Sequence, residues 1–123
     1  MQTYANQRVL IVDDHPVIRR TLRALFGNRG YLVFEAINGA EAITRAQEVE
    51  PDLVVLDLVM PVMNGLDAAR ILKRLRPKTP LMMFTSFEGP VLDQEACAAG
   101  ISAVVPKSAS AELLLRHAKD PLH

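Results

Sequence analysis

Three apolar stretches of this chain end on ionisable residues. Val9–Val12 runs into Asp13 and Asp14, Leu53–Leu56 into Asp57, and Ala103–Pro106 into Lys107. An apolar, β-branched run that closes on a carboxylate reads as a buried parallel strand at its carboxyl end, where open α/β folds place their ligand crevice. Such an arrangement gathers three Asp and one Lys in one place. Clustered carboxylates repel one another unless a divalent cation compensates them, and a hard oxygen donor set with open positions suits Mg²⁺. A metal that keeps open positions commonly holds a phosphoryl group.

The elements that must position these residues follow from periodicity. Apolar runs alternate with helix-period segments about every 20 to 25 residues, the pattern of repeated βα units around a parallel sheet. Five strands are expected at Val9–Val12, Tyr31–Glu35, Leu53–Asp57, Leu81–Thr85 and Ala103–Val105. The first, third and fourth are continuously apolar and should be buried on both faces. Helix one should begin at Pro16, which has no N–H to leave unpaired, and end near Gly27. Helix two should cover Ala40–Glu48 after the Asn38-Gly39 turn, with Pro51 keeping it out of the third strand. Helix three is expected over Leu66–Leu75, ended by Pro77 and Pro80. Helix four starts on Gly89-Pro90 and stops before Gly100, and helix five spans Ala111–Lys119, closed by Pro121. Right-handed crossovers then give a doubly wound helix–sheet–helix sandwich, and strand order 2-1-3-4-5 puts Asp13, Asp14 and Asp57 together at the switch point.

The bulk properties agree. At 123 residues, half of them apolar, the chain fits one domain with one core. Fourteen basic and fourteen acidic side chains balance, which argues against a polybasic nucleic-acid surface or an acidic tail. A single cysteine, Cys97, cannot form an internal disulfide and leans towards a reducing compartment. Residues 1–8 lack a basic start followed by an apolar core, and no apolar run approaches transmembrane length. A cytoplasmic protein with no membrane association is the expectation.

With these pieces in order, the chain resembles a receiver domain of the two-component response regulators. The matching segments are Val12-Asp13-Asp14-His15-Pro16, Asp57 through Gly65 with Met60-Pro61 and Asn64-Gly65, Phe84-Thr85-Ser86, and Val105-Pro106-Lys107-Ser108. The resemblance implies one flavodoxin-like (βα)5 domain over residues 1–123, with its core at about 9–119, and it implies the same strand order. It also implies that Asp57 takes a phosphoryl group from a phosphohistidine on a sensor histidine kinase or phosphotransfer protein. Asp14 would bind Mg²⁺ directly, Asp13 would do so through water or by positioning, and the Val59 carbonyl would complete the protein ligands. Thr85 would hydrogen-bond a phosphoryl oxygen, and Lys107 would pair with Asp57 when empty and with the phosphoryl group when loaded. The protein is then a switch whose chemistry is limited to its own phosphorylation and dephosphorylation.

The chain also departs from the family pattern. Receivers usually carry an aromatic or His three residues before the Lys, where Val104 stands here, and many place Pro directly after the Lys, whereas here Pro106 precedes it. Pro106 late in the fifth strand marks that strand as an edge. The opening and Lys-Ser ending resemble receivers that precede a helix-turn-helix domain, but these residues contain none, so direct nucleic-acid binding is not expected. The output surface is expected on helix four, strand five and helix five. There one of Leu113-Leu114-Leu115 should be partly exposed near Val104, and phosphorylation should favour a homodimer or a partner contact.

Two other functions compete. A phosphorylation-independent adaptor would keep the fold alone, and an aspartyl-phosphate phosphohydrolase typically needs Asp-x-Asp, which Asp57-Leu58-Val59 lacks. Outside the cluster, His15 reads as a cap or surface residue and Cys97 as a packing residue. Met60, Met63, Met82 and Met83 read as loop and core filling, and His117 and His123 have no evident partners.

Overall fold

A computed structural model describes residues 6–119. Their elements alternate as β1 (Arg8–Val12), α1 (Pro16–Gly27), β2 (Leu32–Ala36), α2 (Gly39–Val49), β3 (Leu53–Leu56), α3 (Gly65–Leu75), β4 (Leu81–Thr85), α4 (Pro90–Ala98), β5 (Ile101–Pro106) and α5 (Ala111–Lys119). All four strand pairings are parallel, in the order β2-β1-β3-β4-β5, as expected for a doubly wound flavodoxin-like sheet. Val9–Val12 of β1, all of β3 and all of β4 are buried. Their side chains alternate between two cores. Leu10, Val12, Val54, Leu56, Leu81 and Met83 pack on one face with α2, α3 and α4, while Val9, Ile11, Leu53, Val55, Met82 and Phe84 pack on the other with α1 and α5. Continuous apolar sequence is what two covered faces require.

The helix starts follow local chemistry. Asn38 and Asn64 cap α2 and α3 by accepting hydrogen bonds from Glu41 N–H at 2.8 Å and Asp67 N–H at 2.9 Å. Pro16 and Pro90 open α1 and α4. Helix α2 runs one residue further at each end than periodicity predicts, and Glu50 in a left-handed conformation (φ 50°) stops it before Pro51.

Two strands differ from expectation for identifiable reasons. β2 begins at Leu32 because the Tyr31 N–H is already used, donating to Phe26 O at 3.2 Å, and the Tyr31 ring meets Phe26 edge-on with centroids 5.1 Å apart. β5 begins at Ile101, two residues early, across a register shift. Leu81 pairs with Ile101 and Met82 with Ala103, leaving Ser102 bulged with its hydroxyl donating to Leu81 O at 3.0 Å. The bulge breaks the alternation from which the strand start was read.

Packing corrects two further expectations. Leu113 is partly exposed, but it packs with the α1–α5 core while Val104 packs with the α4 side, so the two lie on opposite faces of the sheet. Cys97 is exposed rather than packed. β5 is an edge strand, as Pro106 indicated. Met60, Met82 and Met83 are buried. Pro121 and His123 lie outside the described residues.

Candidate functional site

The central pairing places the carboxylates. Val12 of β1 stands opposite Leu56 of β3, and the ladder continues one residue further, with Asp57 N–H donating to Val12 O at 3.0 Å. Asp13 N–H donates to Ala36 O at 3.1 Å, so both Asp residues emerge at the same level of the sheet. On the far side, Lys107 N–H donates to Thr85 O at 2.7 Å and brings the lysine in above β4.

The four predicted ionisable groups meet. Lys107 Nζ lies 2.9 Å from Asp13 Oδ2 and 3.0 Å from Asp57 Oδ2, bridging two carboxylates that are only 2% and 4% exposed. Asp57 Oδ1 accepts from the Leu58 N–H at 2.7 Å, and Asp13 Oδ1 accepts from the His15 N–H at 2.9 Å. Burial pulls the Lys107 pKa down, but the hydrogen bonds it donates to Asp13 and Asp57 and their negative charges outweigh it, and the net shift is upward. The lysine is thus held as a cation.

Asp14 differs from its neighbours. Its Oδ1 is buried and accepts no hydrogen bond, although His15 Nδ1 stands 3.3 Å away. A buried carboxylate oxygen without a donor is costly unless something else satisfies it. One ligand atom from each of Asp13, Asp14, His15 and Asp57 lies within 4.8 Å of the others. Three hard carboxylates with a spare lone pair between them form a donor set that fits Mg²⁺.

The remaining predicted residues are placed less closely. Thr85 is fully buried at the end of β4, and its hydroxyl accepts from the Phe87 N–H at 3.4 Å rather than joining the carboxylates. Val59 lies two residues beyond Asp57 in the β3–α3 loop with its side chain exposed. That loop is fixed by close approach. Gly65 N–H donates to Leu58 O at 2.7 Å, and a Cβ on Gly65 would stand 2.1 Å from Asp57 O. No other residue can follow Asn64 here without moving the Asp57 backbone.

Two further side chains border the site. His15 is the N-cap residue of α1 and is exposed, yet its ring turns towards the acid pair, with Nδ1 3.1 Å from Asp13 Oδ1. Only its adjacency to the pair signalled this. Arg19 donates from Nη1 to the Asp13 carbonyl at 2.8 Å, a contact whose other anchor lies on β2 and leaves no mark in the local sequence.

This geometry agrees with the comparisons. Residues 9–119 match the family profile described as the response regulator receiver domain. The chain belongs to that family. It is 35% identical over 102 residues to the chemotaxis protein CheY of Thermotoga maritima, covering 82% of this chain and 85% of that protein. The transcriptional regulatory protein LnrK of Bacillus subtilis is 33% identical over 111 residues, covering 89% of this chain and 50% of LnrK. Among solved structures, a LuxR-family two-component response regulator from Aurantimonas superposes with a TM-score of 0.90 at 33% identity, covering 96% of this chain and 86% of that one. Chemotaxis protein CheY4 of Vibrio cholerae superposes at 0.87 with 32% identity, covering 94% and 98%. The receiver spans about half the length of the first curated transcriptional regulators it matches. It is a receiver domain of two-component signal transduction.

Proposed function

We propose that Asp57 accepts a phosphoryl group from a phosphohistidine on a sensor kinase or phosphotransfer protein, and that the charge thus added changes how the receiver binds its partners. The supporting observation is the Lys107 bridge between Asp13 and Asp57 beside Asp14 Oδ1, a buried oxygen that accepts no hydrogen bond. In the transfer, an Asp57 carboxylate oxygen forms the new P–O bond while the P–N bond to the donor breaks, its electron pair returning to nitrogen so that the ring, already protonated on its other nitrogen, leaves as neutral imidazole. Asp14 would hold Mg²⁺ directly, with Asp57, the Val59 carbonyl and a positioning or water-mediated contribution from Asp13. Bound there, the ion would neutralise crowded carboxylates and phosphoryl oxygens. Lys107, already bonded to Asp57 Oδ2, would follow the negative charge outward onto the phosphoryl group. Thr85 is joined to Lys107 through its backbone carbonyl and would turn its hydroxyl towards a phosphoryl oxygen, moving the β4–α4 loop with it.

A protein donor fits the surroundings of the crevice. Val17, Val59, Val62 and Phe87 are exposed apolar residues on the first turn of α1 and on the β3–α3 and β4–α4 loops, at the same end of the sheet as the carboxylates. Exposed apolar side chains grouped around a polar centre suit a protein contact. Among the described residues, no helix is long and apolar enough to cross a membrane, and a cytoplasmic location belongs to this proposal. Incubation with Mg²⁺ and a small phosphodonor, followed by intact-mass measurement, should add one phosphoryl group to the wild type and none to Asp57→Ala. Equal gain in both would overturn the assignment.

A further inference from the structure

The backbone of Asp13 is gripped on both sides. Its N–H donates to Ala36 O at 3.1 Å, and its carbonyl accepts from Arg19 Nη1 at 2.8 Å. That carbonyl shares a rigid plane with the amide of Asp14, so the Arg19 bond sets the orientation from which the Asp14 side chain departs. Arg19 is itself braced. Its Nε donates to Glu35 Oε1 on β2 at 3.2 Å, and the Arg23 guanidinium pairs with the other oxygen of the same carboxylate. Arg19 and Glu35 are mostly buried, at 18% and 22% side-chain exposure, whereas Arg23 is 61% exposed.

We propose that Arg19 is a positioning residue for the metal site, holding the Asp13–Asp14 peptide so that the Asp14 carboxylate faces the crevice. This rests on the reading of Asp14 as a direct Mg²⁺ ligand. A merely structural role would be a clip between α1 and β2. Arg23 serves as the control, because it makes the same kind of clip to the same Glu35 without touching Asp13. Arg19's planar fork reaches two acceptors at once; a lysine ammonium at that position has no equivalent fork.

The test titrates Mg²⁺ into the full chain of wild type, Arg19→Ala, Arg19→Lys and Arg23→Ala, followed by amide shifts, with urea unfolding measured alongside. Groups that orient a metal ligand commonly change affinity by about 10-fold or more. Arg19→Ala should therefore raise the Mg²⁺ dissociation constant about 10-fold, Arg19→Lys should recover part of it, and Arg23→Ala should stay within about twofold. In metal-free protein, the Asp14 and His15 amide resonances should move in Arg19→Ala and stay in place in Arg23→Ala. Unchanged affinity in Arg19→Ala, or equal losses in both alanine variants, would overturn the proposal. If the wild type itself bound no Mg²⁺, the metal reading would fall instead, and the metal-free Asp14 shift would still decide whether Arg19 sets the loop.

Discussion

At the scale of single residues, the three carboxylates do different work because their hydrogen bonds differ. Both oxygens of Asp13 accept, from the His15 N–H and from Lys107, whereas Asp14 Oδ1 accepts no hydrogen bond and has only His15 Nδ1 near it, at 3.3 Å. Asp14→Asn should therefore weaken Mg²⁺ binding more than Asp13→Asn does. In metal-free buffer it should raise stability by about 1 kcal/mol, since it removes one of several like charges and breaks no hydrogen bond at Oδ1. Paired Mg²⁺ titrations and urea unfolding check both signs. Lys107 carries the opposite expectation. Removing it with Lys107→Met leaves Asp13 and Asp57 buried without their shared cation, a loss on the order of 3 kcal/mol. Its pKa is raised in the folded protein above the ordinary 10.5. The lysine's contribution is therefore complete below that ordinary value and disappears as pH rises through the raised one. The stability gap between wild type and Lys107→Met, measured without metal, should be constant from neutral pH to about pH 10 and narrow above it. The ionisable members of this cluster were legible in sequence because Asp13, Asp57 and Lys107 directly follow apolar runs and Asp14 adjoins Asp13. Arg19 was not, since nothing local to a helix residue reveals a bond to a carbonyl six positions earlier.

At the scale of elements, the β3–α3 loop holds Asp57 at the cost of backbone strain. Val62 has φ 73°, and the Met63 N–H donates to Pro61 O at 2.8 Å, closing a γ-turn around it. A β-branched residue with positive φ is unfavourable by roughly 1–2 kcal/mol, and Val62 is 81% exposed, so its side chain returns little packing. Val62→Gly should raise stability by about 0.5–1 kcal/mol, because glycine has no Cβ to crowd the backbone at positive φ. A fall in the urea midpoint would refute the strain. Gly65→Ala should do the reverse, since the added methyl would meet the Asp57 carbonyl. Both the unfolding midpoint and the rate of phosphoryl uptake should drop in that variant. The helix starts at Pro16 and Pro90 were readable because each acts on its own backbone neighbours, whereas Asn38 was read as a turn residue and Asn64 as part of a loop motif, and their capping of α2 and α3 emerges only from the structure. Strand ends were less readable. Tyr31 is kept out of regular pairing by the end of α1 at Phe26, and Ser102 by a bulge against Leu81 of β4, a partner distant in sequence.

At the scale of the whole molecule, strand order and burial were legible because a sheet covered on both faces needs uniformly apolar central strands. Side-chain neighbours across the sheet were not, as the opposite placement of Val104 and Leu113 shows. That placement changes which residues the expected output surface would present. The face beside α4 and β5 carries exposed Val91 and half-buried Val104, next to the Phe87 end of the β4–α4 loop. Thr85 lies two residues before Phe87, and the Phe87 N–H donates to the Thr85 hydroxyl. Turning that hydroxyl towards a phosphoryl group would break this long bond and free the loop, so a change at Asp57 would reach the exposed apolar residues without an aromatic at position 104. A symmetric contact through this face would bury Phe87 and Val91 against a second copy or a partner. Sedimentation velocity with a beryllofluoride phosphoryl mimic and Mg²⁺ should therefore show a shift towards dimer, or amide-shift mapping should show partner binding, centred on α4 and β5. Val91→Lys should reduce either response while leaving phosphoryl uptake at Asp57 unchanged. Responses confined to α2 and α3, with Val91→Lys behaving as wild type, would place the output surface elsewhere on the sheet's flanks.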